Sequence, residues 1–174
     1  MWGIMIEAGA SKHDLAWELP GLRPGHADRP GDVVWKDFYG ESRHLVVDCC
    51  CTSVRRDEIE EHFDVPGYAA RVAEKRKFDN DDASSRPVRT DGHTLVPFVV
   101  EDGGRLGDQA LALLWNLAIR GAGPAGRLSP RPGRMTPTTT ATASWWVAKW
   151  LGSLSWTIAR FHASHLLRTL RICD

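Results

Sequence analysis

Asp48 lies inside 43–52, RHLVVDCCCT, a run in which nearly every other side chain is apolar. A carboxylate in the middle of an apolar strand is costly unless a cation, a hydrogen-bond donor or water meets it. A metal ion would meet that need. A second acid, Asp32, opens the preceding apolar run directly after Pro30 and Gly31. If the two runs pair through the short turn at 39–42, the two carboxylates approach each other, and two hard oxygen ligands suit Mg²⁺. Phosphodiester cleavage at such a centre also calls for a cationic side chain to stabilise charge developing at phosphorus. Lys75 and Lys77 are the nearest candidates.

Each of these residues has a plainer reading beside the chemical one. Asp32 follows Pro-Gly and suits a turn at the start of a strand. Asp48 could sit where a strand end bends toward water, since polar residues in such runs are usually paired or wet. Lys75 and Lys77 stand among Glu74, Arg76 and Asp79, the composition of a solvated helix face. Glu101 and Asp102 precede Gly103 and Gly104 and read as turn chemistry, outside the site.

The remaining reactive residue types offer less. Cys49, Cys50 and Cys51 are consecutive and Cys173 is distant; three neighbours on one strand cannot reach a single partner, and zinc-type C-x-x-C spacing is missing. They are expected to be buried, reduced, intracellular thiols. The seven histidines form no spaced cluster, and His162 and His165 lack acidic or thiol neighbours in sequence. Four tryptophans between 145 and 156 could stack on bases, although such spacing more often marks a core or an interface.

The elements that must position these residues follow from periodicity and breakers. Ser11 followed by Leu15 and Leu19 predicts a short helix over 11–19. The Pro/Gly-rich stretch 20–31 predicts a loop. Strands are expected over 32–38 and over 43–52, the second covered on both faces. A helix over 66–80 carries Tyr68, Ala69, Val72 and Ala73 on one stripe, with Pro66 in its first turn. Residues 94–100, TLVPFVV, form a third strand whose Pro97 requires an edge or a bulge. A helix over 106–120 places Ala110, Leu113, Leu114 and Leu117 at core spacing and stops at Gly121.

Beyond it, 121–143 is a Gly/Pro/Arg/Thr segment expected to be a flexible, disordered linker. An amphipathic tail helix, 144–171, follows. The expected organisation is therefore a domain over 1–120, the linker over 121–143 and a basic, Trp-rich tail over 144–174. Its Lys149, Arg160 and several Ser/Thr argue against a membrane-spanning helix and leave a surface-lying one open, with a membrane surface an unfavoured partner. The acid early in MWGIMIEAGASKHD is unlike a secretory signal.

Taken in order, RPGDVVWKDF, RHLVVDCCCT, AEKRKFD and LVPFVVEDGGRLG resemble the restriction-like endonuclease domain that ends some non-LTR retrotransposon polyproteins. That domain belongs to the PD-(D/E)xK nucleases. The resemblance covers about residues 15–120 and rests on the ordered set, not on any single motif. It implies an α/β, three-layer core, a small mixed sheet flanked by helices. It further implies that Asp32 and Asp48 hold Mg²⁺ and that Lys75, or failing it Lys77, is the helix-borne lysine. In this family the lysine is commonly displaced from the strand to the following helix, in keeping with Cys50 standing where the D-x-K lysine would be. The triple cysteine, the missing Cys/His knuckle and the missing reverse transcriptase depart from the pattern and fit a truncated copy.

The resemblance thus implies a metal-dependent endonuclease that nicks DNA, working in the nucleus. A catalytically inactive relic or a nucleic-acid-binding module is the alternative, and a tail helix laid on a membrane surface or a partner is a third. Bulk properties allow all three. Hydrophobic residues make up 43% and charged residues 25%, which fits one globular core and excludes a wholly disordered chain. The zero net charge hides an asymmetry: 120–174 holds eight Lys/Arg and one acid, leaving 1–119 at minus seven. The basic end is the candidate polyanion contact, or else a solvated extension.

Overall fold

Val33, Val34 and Trp35 are consecutive and all buried, which demands a sheet covered on both faces. In the computed structural model that sheet has four strands: β1 (Leu15–Trp17), β2 (Val33–Trp35), β3 (Leu45–Thr52) and β4 (Thr94–Glu101). The helices are α1 (Trp2–Glu7), α2 (Tyr68–Asp82), α3 (Asp108–Ala122) and α4 (Pro137–Arg171). The structure describes residues 1–19, 31–53, 62, 65–83, 87–88, 92–122 and 137–171. The expected loop at 20–31 lies outside them except for Gly31, as do 123–136 of the expected linker.

Sheet order is β1-β2-β3-β4. β1 and β2 pair antiparallel, as do β2 and β3, with Val33 opposite Val47 and Trp35 opposite Leu45. β3 and β4 are parallel, with Asp48 opposite Pro97. The fold is therefore mixed α/β around a small mixed sheet. Pro97 sits on the edge strand, as a residue without an N–H requires. Thr94 donates its N–H to His44, and alternate residues of a parallel pair face the same neighbour, so Pro97 turns away from β3. The outer side of β4 is closed further along by the returning chain, where Gly107 donates to the Val99 carbonyl and Glu101 to the Arg105 carbonyl.

Alternation along the strands divides the core. Val33, Trp35, Leu45, Val47, Phe98 and Val100 face α1, α3 and α4. Val34, Val46 and Leu95 face the other way, with Phe78 of α2 packed against them, and Cys50 and Val99 meet Ala70 and Ala73. Small residues on α2 let it lie close to the sheet. Its buried stripe is consequently Ala69, Ala70, Ala73, Glu74 and Asp81, whereas Val72, expected on the stripe, is exposed.

Four further expectations are corrected. Residues 11–19 are not a helix. Ser11 Oγ accepts the His13 N–H and the Asp14 carboxylate accepts the Ser11 N–H, closing a tight local turn, and Leu15–Trp17 then pairs with β2. Glu18, at φ 42, breaks the alternation and sends Leu19 to the opposite face from Leu15. The last helix begins at Pro137, so 137–143, expected in the linker, are helical, and α3 runs through Gly121, which lies against Ala8 at the end of α1. Lastly, Cys51 is exposed, with Cys49 and Cys50 half-buried.

The helix at 2–7 was not anticipated at all. It ties the tail to the core: Glu7 accepts from Lys149 Nζ at 2.9 Å and from Trp150 Nε1 at 2.7 Å. Burial of Ala143, Val147 and Trp150 within the main core completes the docking. Leu151, Leu154 and Ile158 pack against the same core, so this part of the tail's apolar stripe is covered by its own domain. No helix among the described residues is long and apolar enough to cross one.

Candidate functional site

Gly31 brings the chain onto β3 so closely that a Cβ there would strike the Val46 side chain and meet the Val47 carbonyl at 3.1 Å. Asp32 then donates its N–H to Val47 at 2.9 Å and accepts the Glu18 N–H at 3.0 Å on its carbonyl. Its carboxylate Oδ2 accepts the Cys49 N–H at 2.7 Å. Asp32 therefore sits in the plane of the sheet, beside the peptide that joins Asp48 to Cys49.

Asp48 alternates with the buried Val47 and so projects to the α2 side. There Lys77 Nζ lies 2.8 Å from Oδ1 and 2.7 Å from Oδ2. Both side chains are about three-quarters buried, at 24% exposure for Lys77 and 22% for Asp48. The cation that the apolar run called for is thus a lysine of the following helix. Lys75 is placed elsewhere: it pairs with Asp79 at 2.6 Å on the outer face of α2, at 77% and 58% exposure. The structure pairs Asp48 with Lys77, holds the Asp32 carboxylate on the N–H of the next residue, Cys49, and leaves Lys75 outside.

The Cys49 and Cys50 thiols are chemically quiet. Burial, reinforced by the Asp32 carboxylate, pushes the Cys49 thiol up to about 11. Burial also raises Cys50, against the opposing pull of Lys77. A protonated thiol is neither a nucleophile nor a soft-metal ligand. The donors that remain are hard oxygens. Among the described residues no group of three or more His, Cys, Asp and Glu side chains could hold a metal. Two carboxylates with water completing the shell is nevertheless a common way of binding Mg²⁺, and Asp32 keeps one carboxylate oxygen outside its bond to Cys49.

The other acids near the helix serve the fold. Glu101, left out of the site on sequence, accepts the Ala70 N–H at 3.1 Å and so supports the start of α2. Glu74, buried, accepts the Gln109 N–H at the start of α3 at 2.9 Å, and burial raises its pKa above the ordinary range. Sequence reasoning missed Glu7 and Glu74. Both lie in or beside apolar stretches, the same signal that singled out Asp48.

No family model, curated protein or solved structure matches this chain.

Proposed function

We propose that this chain is a metal-dependent DNA-nicking domain of the restriction-endonuclease-like (PD-(D/E)xK) type, of retrotransposon origin. One observation carries the reading: Lys77, projecting from the helix that follows β3, meets both oxygens of Asp48 beside the peptide that Asp32 grips. The small mixed sheet flanked by helices also supports it.

Asp32 and Asp48 would hold the ion, whose chemistry there is to polarise a phosphate and lower the pKa of bound water. Hydrolysis would add the elements of water across one P–O bond of the backbone. Lys77 stabilises the negative charge that grows on the phosphate oxygens in the transition state. Its half-buried setting strengthens that interaction relative to open water. Asp48, through its two contacts, orients the ammonium.

The test is incubation of supercoiled plasmid with the full chain in Mg²⁺ or in EDTA. Nicked circles are expected in Mg²⁺ alone, and Asp32→Asn and Asp48→Asn should each abolish them while keeping the native circular dichroism spectrum. A wild-type chain that leaves the plasmid intact under every condition, or a folded Asp48→Asn variant that nicks normally, overturns the reading.

A further inference from the structure

Lys75, Arg76 and Lys77 are consecutive on α2 but differ in their partners. Lys75 is bound to Asp79 and Lys77 to Asp48, whereas Arg76 is exposed and makes no ion pair among the described residues. Ala73, one turn before Arg76, is buried with Cys50 and Val99. Helical side chains lean toward the N-terminus of their helix, so Arg76 leans back along the flank that Ala73 occupies. Cys50, in turn, lies two residues beyond Asp48 and shares its face of the sheet. Arg76 and Lys77 thus both follow Ala73 by one turn, which sets Arg76 on the flank of α2 beside the Asp48–Lys77 pair.

Charge makes the position consequential. Asp32 and Asp48 are two acids balanced by the single base Lys77, so before the ion is bound these three groups leave one net negative charge facing a polyanionic substrate. Lys77 is already engaged by a carboxylate. A second cation at the rim would offset the repulsion, and a guanidinium suits a phosphate because its donors form a planar fork matching two phosphate oxygens.

We propose that Arg76 is a phosphate-binding residue of this site, gripping a DNA backbone phosphate beside the one that is cleaved. The proposal rests on the nuclease reading above. It assigns Arg76 to substrate binding, distinct from the charge stabilisation assigned to Lys77.

The experiment uses the full chain and a fluorescein-labelled DNA duplex in EDTA, titrated over a salt series, beside the plasmid assay in Mg²⁺. Arg76→Ala should weaken duplex binding by about tenfold and reduce the salt slope by about one. Arg76→Lys should keep the slope and recover part of the affinity. Lys12→Ala, at an exposed position near the opposite end of β1, should change neither. In the plasmid assay Arg76→Ala should raise KM more than it lowers kcat. A wild-type chain that nicks, with Arg76→Ala unimpaired in affinity and slope, overturns this proposal and spares the nuclease reading. Arg76-dependent binding by a wild-type chain that never nicks does the reverse. A chain that neither binds nor nicks overturns both.

Discussion

Lys77 Nζ contacts both carboxylate oxygens of Asp48, at 2.7 and 2.8 Å, across 29 residues of chain. A single ammonium straddling a carboxylate at roughly three-quarters burial is held more firmly than a surface pair, because less water competes and less salt screens it. Removing one partner leaves the other charge half-buried and unmatched. The same contact thus carries structural weight and chemical potential.

Lys77→Met should therefore destabilise the chain by about 1–3 kcal/mol, the range for stranding a hydrogen-bonded buried group. Lys75→Met, on the solvated side of the same helix, should stay within about 0.5 kcal/mol. Urea denaturation of the two variants separates them. Equal effects would mean that the Asp48 pair contributes no more than the exposed Lys75–Asp79 pair.

Under the proposed function, Lys77→Met should also slow nicking on the order of 10²-fold, as loss of one preorganised charge-stabilising group does. Adding Cys50→Lys returns an ammonium to the same strand face two residues beyond Asp48. The double variant should regain at least part of the lost rate, despite about 1–3 kcal/mol of overpacking against Ala70 and Ala73. Plasmid nicking in Mg²⁺ measures both. No recovery in a folded double variant counts against a lysine role at this spot.

Trp150 is buried at 2% exposure and donates to Glu7. Trp150→Ala should cost about 3–5 kcal/mol, as truncation of a buried aromatic does. Trp156→Ala, at 66% exposure, should be nearly neutral. Thermal and chemical denaturation would show whether the tail belongs to the cooperative unit; a neutral Trp150→Ala would say that it does not.

Stability should also respond to pH through two stacked imidazoles. His44 and His93 lie 4.6 Å apart and nearly parallel. His44 Nδ1 accepts the Asp37 N–H, and His93 Nδ1 accepts the His44 N–H, so protonating His44 at Nδ1 would break its bond to Asp37. Burial, then the neighbouring His93, holds His44 below the ordinary histidine range, against the opposing pull of Asp37. The folded chain thus resists a proton that the unfolded chain accepts. The contribution of His44 to stability is full above about pH 6.5 and falls as pH drops from there toward its lower folded value. His44→Asn, whose amide oxygen can replace Nδ1 as acceptor, should flatten that slope. A wild-type denaturation midpoint that does not change between neutral pH and pH 5, or an unaltered slope in the variant, contradicts this account.

Much of the architecture was decided locally. The strand expected over 43–52 and found over Leu45–Thr52, the core spacing of Ala110, Leu113, Leu114 and Leu117, and Pro97 on an edge strand were all legible in the sequence. Burial of a whole strand or helix face leaves a periodic trace that needs no knowledge of partners. The lone Asp48 in its run likewise announced a need for a partner, since an unmet carboxylate there is costly.

Tertiary structure decided which partner met that need. Lys75 and Lys77 differ by about 200° around the helix axis, and only the depth and rotation of α2 on the sheet, fixed by Ala70 and Ala73 against Cys50 and Val99, turn Lys77 inward. Short elements escaped sequence reasoning for the same reason. Leu15–Trp17 is a strand because β2 supplies its hydrogen bonds, and Trp2–Glu7 matters because Trp150 and Lys149 arrive from far along the chain. Local periodicity identifies what must be buried, but pairings between distant segments exist only once the chain has packed.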